Sequence, residues 1–363
     1  MKQPIPSSIR LAKEDFHRLG LNPAHVEPWE DGMRTNGGRG SYEWWYFDSH
    51  LDDGSKLVIV FLTKNFATPN RPLTPTVVVQ YDTSDGTHYE ENLTFPKSQF
   101  SAAKDSCDVR IGENVFLGDL SQYTIRLRGK IIRTEITLTG RVPAWRPGTG
   151  QIFFGKHDEY FFAWLPSVPE GSVAAELTID GQTKRVSGTG YHDHNWGNVS
   201  MLRLMNHWYW GRAKIGDYTV ISSFITAEKK YGYQTFPIFL LSKNGEVIAE
   251  SSLDSPAFSQ QEEFIDDFTQ KPVHHKLIYD YRDGIHRYVI TYHREKDLLR
   301  AKFIDSLPPP AQLLAKIIGF SGAYLRFTGE ATLERYENDE LTECVSEPAI
   351  WELMYFGHAQ QNR

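Results

Sequence analysis

The chain has 363 residues, 40% hydrophobic and 23% charged, the balance of a soluble globular protein with one large domain or two ordinary ones. Its formal net charge of -7 speaks against a general nucleic-acid surface, which needs clustered lysine and arginine. Cys107 and Cys344 form neither a disulfide framework nor a zinc-ligand spacing, so two reduced thiols are expected, with a single bridge as the alternative.

The N-terminal run Met1-Lys2-Gln3-Pro4-Ile5-Pro6 has no continuous apolar region and no small-residue cleavage site. No stretch reaches the roughly 18–20 apolar residues that span a bilayer. A cytoplasmic chain is therefore expected, although a form cut from a longer precursor would read the same way.

From there the chain reads mostly as β. Leu57–Phe61, Thr76–Tyr81, Tyr123–Leu127 and Glu135–Thr139 are short runs of β-branched and aromatic residues in the first half. Tyr218–Phe224, Pro237–Leu241 and Tyr288–Tyr292 continue the pattern in the second. Turn pairs punctuate them at Asp53-Gly54, Asp85-Gly86, Asp180-Gly181, Asn244-Gly245 and Asp283-Gly284. The spacing predicts an all-β chain of antiparallel barrels or sandwiches with few helices. The clearest helical stretch is Ala311–Ile318, entered from Pro308-Pro309-Pro310, which suits a packed helix, a lid, a barrel plug or a membrane-touching element.

An internal echo divides the chain. Trp45-Tyr46-Phe47 and Trp208-Tyr209-Trp210 stand at a constant offset, at which Val58 meets Ile221 and Phe61 meets Phe224. Two related β domains, 1–200 and 201–363, fit this spacing.

Three blocks carry the chemistry. The densest is Gly190-Tyr191-His192-Asp193-His194-Asn195-Trp196-Gly197-Asn198, too polar for an ordinary core strand. If extended, it puts His192, His194 and Trp196 on one face and Tyr191, Asp193 and Asn195 on the other, one row reactive and one orienting. His-x-His on one strand face is also metal-ligand spacing, but no third ligand is evident, so no metal is expected. Glu43 beside Trp44-Trp45-Tyr46 is a second candidate acid, because aromatic surroundings desolvate a carboxyl and favour its protonated form. The plainer alternative pairs Glu43 with Arg39 or Arg212. The third block, His207-Trp208-Tyr209-Trp210-Gly211-Arg212, supplies further aromatic wall, and Arg212 suits either an anion or an ion pair.

Together these blocks resemble the carotenoid 1,2-hydratase (hydroxyneurosporene synthase) family and its lipocalin-like relatives. The resemblance rests on Glu43–Asp48, Tyr191–Gly197 and His207–Arg212 and extends from about residue 40 to 225. It implies two lipocalin-like β domains, a lipophilic small-molecule substrate and no organic cofactor. Relatives hydrate isolated alkenes, and more distant ones catalyse cycloadditions of polyenes in natural-product pathways. The family's functional His and Trp match His194 and Trp196. The family's proposed proton-donating aspartate has no counterpart, because Tyr218–Phe224 holds no carboxylate. Asp193, Glu43 or a histidinium must then supply the proton.

The expected catalytic set is Asp193, His194, Glu43 and Tyr191. Trp44, Trp45, Tyr46, His192, Asn195, Trp196, His207, Trp208, Trp210 and Arg212 are expected to bind substrate. Asp193 and His194 acting together would protonate a carbon–carbon double bond, with the aromatic rings stabilising the cation. Cyclisation or hydration follows. A pericyclase that folds its substrate and a non-catalytic carrier are the alternatives. No nucleic-acid partner is expected, a transient membrane contact is compatible, and the oligomeric state is open.

Overall fold

The computed structural model describes residues 3–251, 256–306, 309, 312 and 320–357. The chain divides into two compact units. The first comprises Ile9–Phe153 and His157–Met201; the second runs from Leu202 onward and includes Phe154–Lys156 and the N-terminal residues through Ser8. Each is built on its own antiparallel sheet, so the architecture is all-β and lipocalin-like.

The sheet of the first unit has 13 strands. Tyr42–Leu51, Lys56–Leu62, Thr76–Asp82 and His88–Thr94 form a meander. The chain then passes to the far edge and returns through Phe100–Ala102, Cys107–Ile111, Asn114–Gly118, Gln122–Arg128, Ile132–Gly140, Tyr160–Ile179 and Gln182–Gly197. The last strand lies beside the first. The two edge strands are only a short connection apart in sequence, so the sheet curls on itself. Glu91 reinforces the curl: its carboxylate, on an edge strand, accepts the backbone N–H groups of Lys130, Ile131 and Ile132 at 2.8, 2.9 and 2.7 Å.

Strict alternation explains why these segments are strands. In Ile132–Gly140, Ile132, Thr134, Ile136 and Leu138 are buried and the residues between them exposed. The inward row joins Trp45, Phe47, Ile59, Phe61, Phe116, Tyr123 and Ile125 in one core. The turn pairs act as their chemistry requires. Asp180-Gly181 and Asn244-Gly245 both take positive φ at both positions, the twist that joins adjacent antiparallel strands.

The second unit repeats the path with nine strands among the described residues. Met205–Ile215, Tyr218–Ala227, Thr235–Lys243 and Glu246–Glu250 form the opening meander. The closing strand Glu340–Tyr355 again lies beside the first. The echo in sequence thus reflects a shared topology, but not side-chain direction. Trp45 is buried in its core, whereas Trp208, at the same offset, is half-buried; Tyr209 points inward instead. The two opening hairpins have turns of different length, which shifts the facing rows by one residue.

Both cysteines are free, Cys107 buried and Cys344 exposed. A short helix, Lys13–Leu19, carries no signal that sequence reading recognised. The helix expected over 311–318 lies outside the described residues apart from Gln312. No helix among the described residues is long and apolar enough to cross a membrane.

Candidate active site

Residues 43–48 and 191–196 are direct neighbours in the first sheet. His194 faces Trp45, Asp193 faces Tyr46, and Trp196 faces Glu43 across the ladder. On the other side Trp164 pairs with Asn195 and Leu165 with His194. All six residues from Tyr191 to Trp196 are buried, so both faces of the strand are covered.

The core-facing row is a hydrogen-bond network in which two buried atoms, Asp31 Oδ1 and His194 Nδ1, lie 3.5 Å apart without a hydrogen-bond partner among the described residues. His192 places Nδ1 2.8 Å from the Tyr46 carbonyl, which only accepts, so Nδ1 carries a proton. Its Nε2 lies 3.1 Å from Asp31 Oδ2, which also accepts from the Tyr123 hydroxyl at 2.5 Å. Burial pushes the Asp31 carboxyl up, but the His192 and His194 rings and the Tyr123 hydroxyl outweigh burial and hold it below its ordinary value. His194 Nε2 meets Glu43 Oε1 at 2.8 Å. The Glu43 carboxylate also accepts Arg34 N at 2.5 Å, Thr35 N at 2.9 Å and Thr35 Oγ1 at 2.7 Å. Trp45 stacks on His194 with centroids 4.6 Å apart and donates its indole N–H to the Asp31 carbonyl.

This geometry corrects several expectations. Glu43 is fully buried, and its partners are His194, Arg34 and Thr35 rather than Arg39 or Arg212. Trp45, His192 and His194 have no exposed surface, so they hold the strand pair together and offer no wall to a ligand. Asp193 and His194 point to opposite faces and share no hydrogen-bond partner, so a joint proton delivery by these two residues does not follow.

The opposite row is organised around Asp193. Its Oδ2 accepts the Trp164 indole N–H and the Tyr191 hydroxyl, both at 2.8 Å, and its Oδ1 accepts the Asn195 amide at 2.7 Å. Burial raises the Asp193 carboxyl to about 7, against the three donors and the nearby His192, which favour the ionised form. Asp31 and Asp193 are thus driven in opposite directions on the two faces of one strand pair. Such divergence separates a fixed counter-ion from a group that can exchange its proton. Tyr191 is fully buried and its hydroxyl pKa is raised well above the ordinary value by burial and by Asp193, which makes it a donor that positions the carboxyl. Half-buried Trp44 and Tyr46 lie on this same face, with the Tyr46 ring 6.2 Å from that of Tyr191.

Trp196 lines a cavity of about 400 Å³ in the first unit, together with Trp29, Glu30, Arg34, Arg146 and Trp164. Trp164 is therefore shared between the cavity wall and the Asp193 cluster. Asp31, Cys107 and His192 bring three ligand-type atoms within 4.8 Å of one another, although Asp31 and His192 are already bonded together. Asp31, Tyr123, Trp164, Arg146 and Cys107 escaped sequence reading. A Trp flanked by a Pro166/Pro169 segment, and an Asp 161 residues from its histidine, give no local signal.

The remaining predicted residues belong to the second unit. His207 is buried, 2.9 Å from Asn206 Oδ1 and 3.3 Å from Thr226 Oγ1, and packs on Tyr355. Its pKa is lowered to about 3, mainly by burial, then by the charges of His274 and Lys271. It is a neutral packing residue rather than an open wall. Trp208, Trp210 and Arg212 are half-buried on the face opposite Tyr209, and the Trp208 indole donates to Glu352 at 3.3 Å.

A family model described as Diels-Alderase-like matches residues 118–290. A quinolone epoxide rearrangement protein, asqO, of Emericella nidulans is 23% identical over 50% of this chain and 53% of its own length. A hydroxyneurosporene dehydrogenase of Chlorobaculum tepidum is 26% identical over 48% of this chain and 53% of its own. The chain thus spans about half the length of these curated relatives. Among solved structures CghA superposes with a TM-score of 0.62 at 14% identity, covering 88% of this chain and 89% of that one. In fold the chain is similar to CghA, and parts of its sequence are similar to Diels-Alderase-like proteins and to a hydroxyneurosporene dehydrogenase.

Proposed function

We propose that the chain is a cofactor-independent enzyme of a natural-product pathway that protonates a carbon–carbon double bond in a lipophilic isoprenoid or polyene. Asp193 is the acid. The observation that carries this reading is its carboxyl, raised to about 7 by burial and oriented by Tyr191, Trp164 and Asn195. An acid must hold its proton near working pH and release it to a weak base in a dry site. Proton transfer to an alkene carbon leaves a carbocation and the Asp193 carboxylate. The three donors around Asp193 then bond to a full charge and strengthen. Trp44 and Tyr46, on the same face, stabilise the cation by roughly 0.5–2 kcal/mol per ring. In cyclisation an internal double bond captures the cation and the new cation loses a proton; in hydration water captures it and the oxonium loses a proton; in each case that proton restores the Asp193 acid.

The relatives' printed functions support natural-product chemistry, and a CghA structure with Sch210972 supports a small-molecule ligand. We further assign the chain to the cytoplasm, with transient membrane contact as the route to a lipophilic substrate, which fractionation of expressing cells tests. Activity is expected to survive exhaustive chelation; loss on chelation with recovery on adding zinc or iron would overturn the metal-free reading.

Turnover in D₂O tests the acid step. Deuterium is expected at the protonated carbon, and Asp193→Asn should slow turnover by about 10²–10⁴ while binding persists. The Diels-Alderase-like match favours one second reading, a pericyclase that gains its rate by folding the substrate. Unlabelled product together with a near-normal Asp193→Asn rate would select that reading; a ligand recovered unchanged after long incubation would select a carrier.

A further inference from the structure

The cavity of the first unit has a volume of about 400 Å³, within the range of small-molecule sites, and all its lining residues belong to that unit. Trp29, Phe153, Phe161, Trp164 and Trp196 make much of its wall aromatic. The charged residues of the lining are already engaged within the protein. Arg146 bonds the carbonyls of Asn22 at 2.5 Å and His25 at 3.3 Å and lies 3.4 Å from Glu30, which also accepts Glu27 N at 2.9 Å. Arg34 gives Nε to the Gly32 carbonyl and Nη2 to that of Lys104, lies over the Trp29 ring at 4.8 Å, and stands in the field of Glu43, Glu30 and Asp31. Asp158 is bound by Arg10 and Arg18. A charged ligand would shed its water here and meet only groups that already have partners, a cost that an uncharged ligand avoids.

Thr149 differs from these residues. It lines the cavity, is 2% exposed, and its hydroxyl has no hydrogen-bond partner among the described residues. It stands between Gly148 and Gly150, whose φ values of 57° and 73° lie in the left-handed region. The turn is held by Thr149 N on the Arg10 carbonyl at 3.0 Å and by Trp164 N on the Gly150 carbonyl at 2.8 Å. With the backbone so fixed, rotation about the Cα–Cβ bond decides whether the methyl or the hydroxyl meets an occupant. A buried hydroxyl without a partner lowers stability, and a ligand oxygen that bonds to it removes that loss.

We propose that the cavity binds an uncharged, ring-containing molecule that carries a hydroxyl or carbonyl oxygen, with Thr149 bonding the oxygen and Trp29, Phe161 and Trp196 packing on the rings. The assignment concerns binding alone and holds whether or not Asp193 is an acid.

Three naphthalenes of one outline test it, each titrated into the full chain by calorimetry. They are 6-methoxy-2-acetonaphthone, an uncharged ketone; 6-methoxy-2-naphthoate, the matching carboxylate; and 2-ethyl-6-methoxynaphthalene, which lacks the carbonyl. The ketone is expected to bind at least about tenfold more tightly than the carboxylate. Thr149→Val, close to Thr in shape, should weaken the ketone by about three- to tenfold, the range of a neutral hydrogen bond, and hold the ethyl compound within about twofold. Because the change removes a hydroxyl that has no partner, the urea midpoint should stay at or above the parent's. Leu21→Trp, which fills the cavity from its rim, should weaken the ketone and the ethyl compound by at least about tenfold. Four results would each overturn the assignment: a carboxylate bound as tightly as the ketone, a Thr149→Val effect equal on ketone and ethyl compound, a lowered urea midpoint in that variant, or binding indifferent to Leu21→Trp.

Discussion

Asp193 carries opposing consequences for activity and for stability. As a general acid it works protonated, so the rate should fall as pH rises through about 7, the value to which burial pushes it. For stability the sign is also set. A folded-state carboxyl raised above its unfolded value of about 3.9 keeps a proton that the unfolded chain releases, so stability declines from about pH 4 to about 7 and stays reduced above. The shift corresponds to a few kcal/mol. Asp193→Asn removes that penalty but exchanges one accepting oxygen for an amide, which Asn195 can meet by turning its own amide over. At pH 8 the variant should be more stable than the parent by about 1–3 kcal/mol in urea unfolding, while its turnover collapses. A variant that is less stable at pH 8 would mean that the three donors stabilise the Asp193 carboxylate by more than burial penalises it. Glu43→Gln should behave in the opposite way. Four donors converge on that carboxylate. Turning an amide nitrogen toward any of them should cost about 2–4 kcal/mol, read as a lower urea midpoint.

Strands rather than single residues determine where these groups sit, and strands were the most readable level of the sequence. Each of the seven short runs lies within an observed strand, because β-branched alternation and Gly turns are local signals. Tyr160–Ile179 shows where local reading ends. Proline and glycine ordinarily interrupt a strand, yet this one continues past Pro166, Pro169 and Gly171 through register shifts between Leu165, Val168 and Gly171, with Trp164 against Asp193. The division of Tyr191–Trp196 into two rows followed from the strand period; the partners Asp31, Tyr123 and Trp164 did not, because they arrive from distant segments. Edge closure is likewise a long-range feature. Glu91 receives three backbone N–H groups from the turn at 130–132, so Glu91→Ala leaves the buried Ile132 N–H and two part-buried donors without this partner. A loss of about 2–4 kcal/mol is expected, with faster amide exchange at Ile131 and Ile132. Unchanged exchange there would show that the curl of the sheet does not depend on this carboxylate.

The two units, sharing one topology, differ in how protons load them. In the first, Asp31 is held below its ordinary value, so its stabilisation is present above about pH 4 and lost as pH falls through the folded value. Asp193 in the same unit lowers stability as pH rises from about 4 to about 7. In the second unit, His207 is buried and neutral, its pKa lowered to about 3 by burial and then by His274 and Lys271. An unfolded histidine titrates near 6.5, so below that pH the unfolded chain binds a proton that the folded one refuses. The second unit therefore loses stability as pH falls from about 6.5 toward 3. At pH 5 the accumulated penalty is about 2 kcal/mol, the gap between 6.5 and 5 multiplied by about 1.4 kcal/mol per unit. His207→Gln keeps a donor for Asn206 and an acceptor for Thr226 while removing the titration. It should raise the second unit's resistance to urea at pH 5 by about 2 kcal/mol and leave it unchanged or slightly weaker at pH 8. Hydrogen exchange followed separately over Met205–Ile215 and Gln182–Gly197 resolves the two units. Between pH 5 and 8 the first strand should become better protected and the second less so; a common trend in both, or no gain from His207→Gln at pH 5, would remove buried His207 as the source of acid sensitivity.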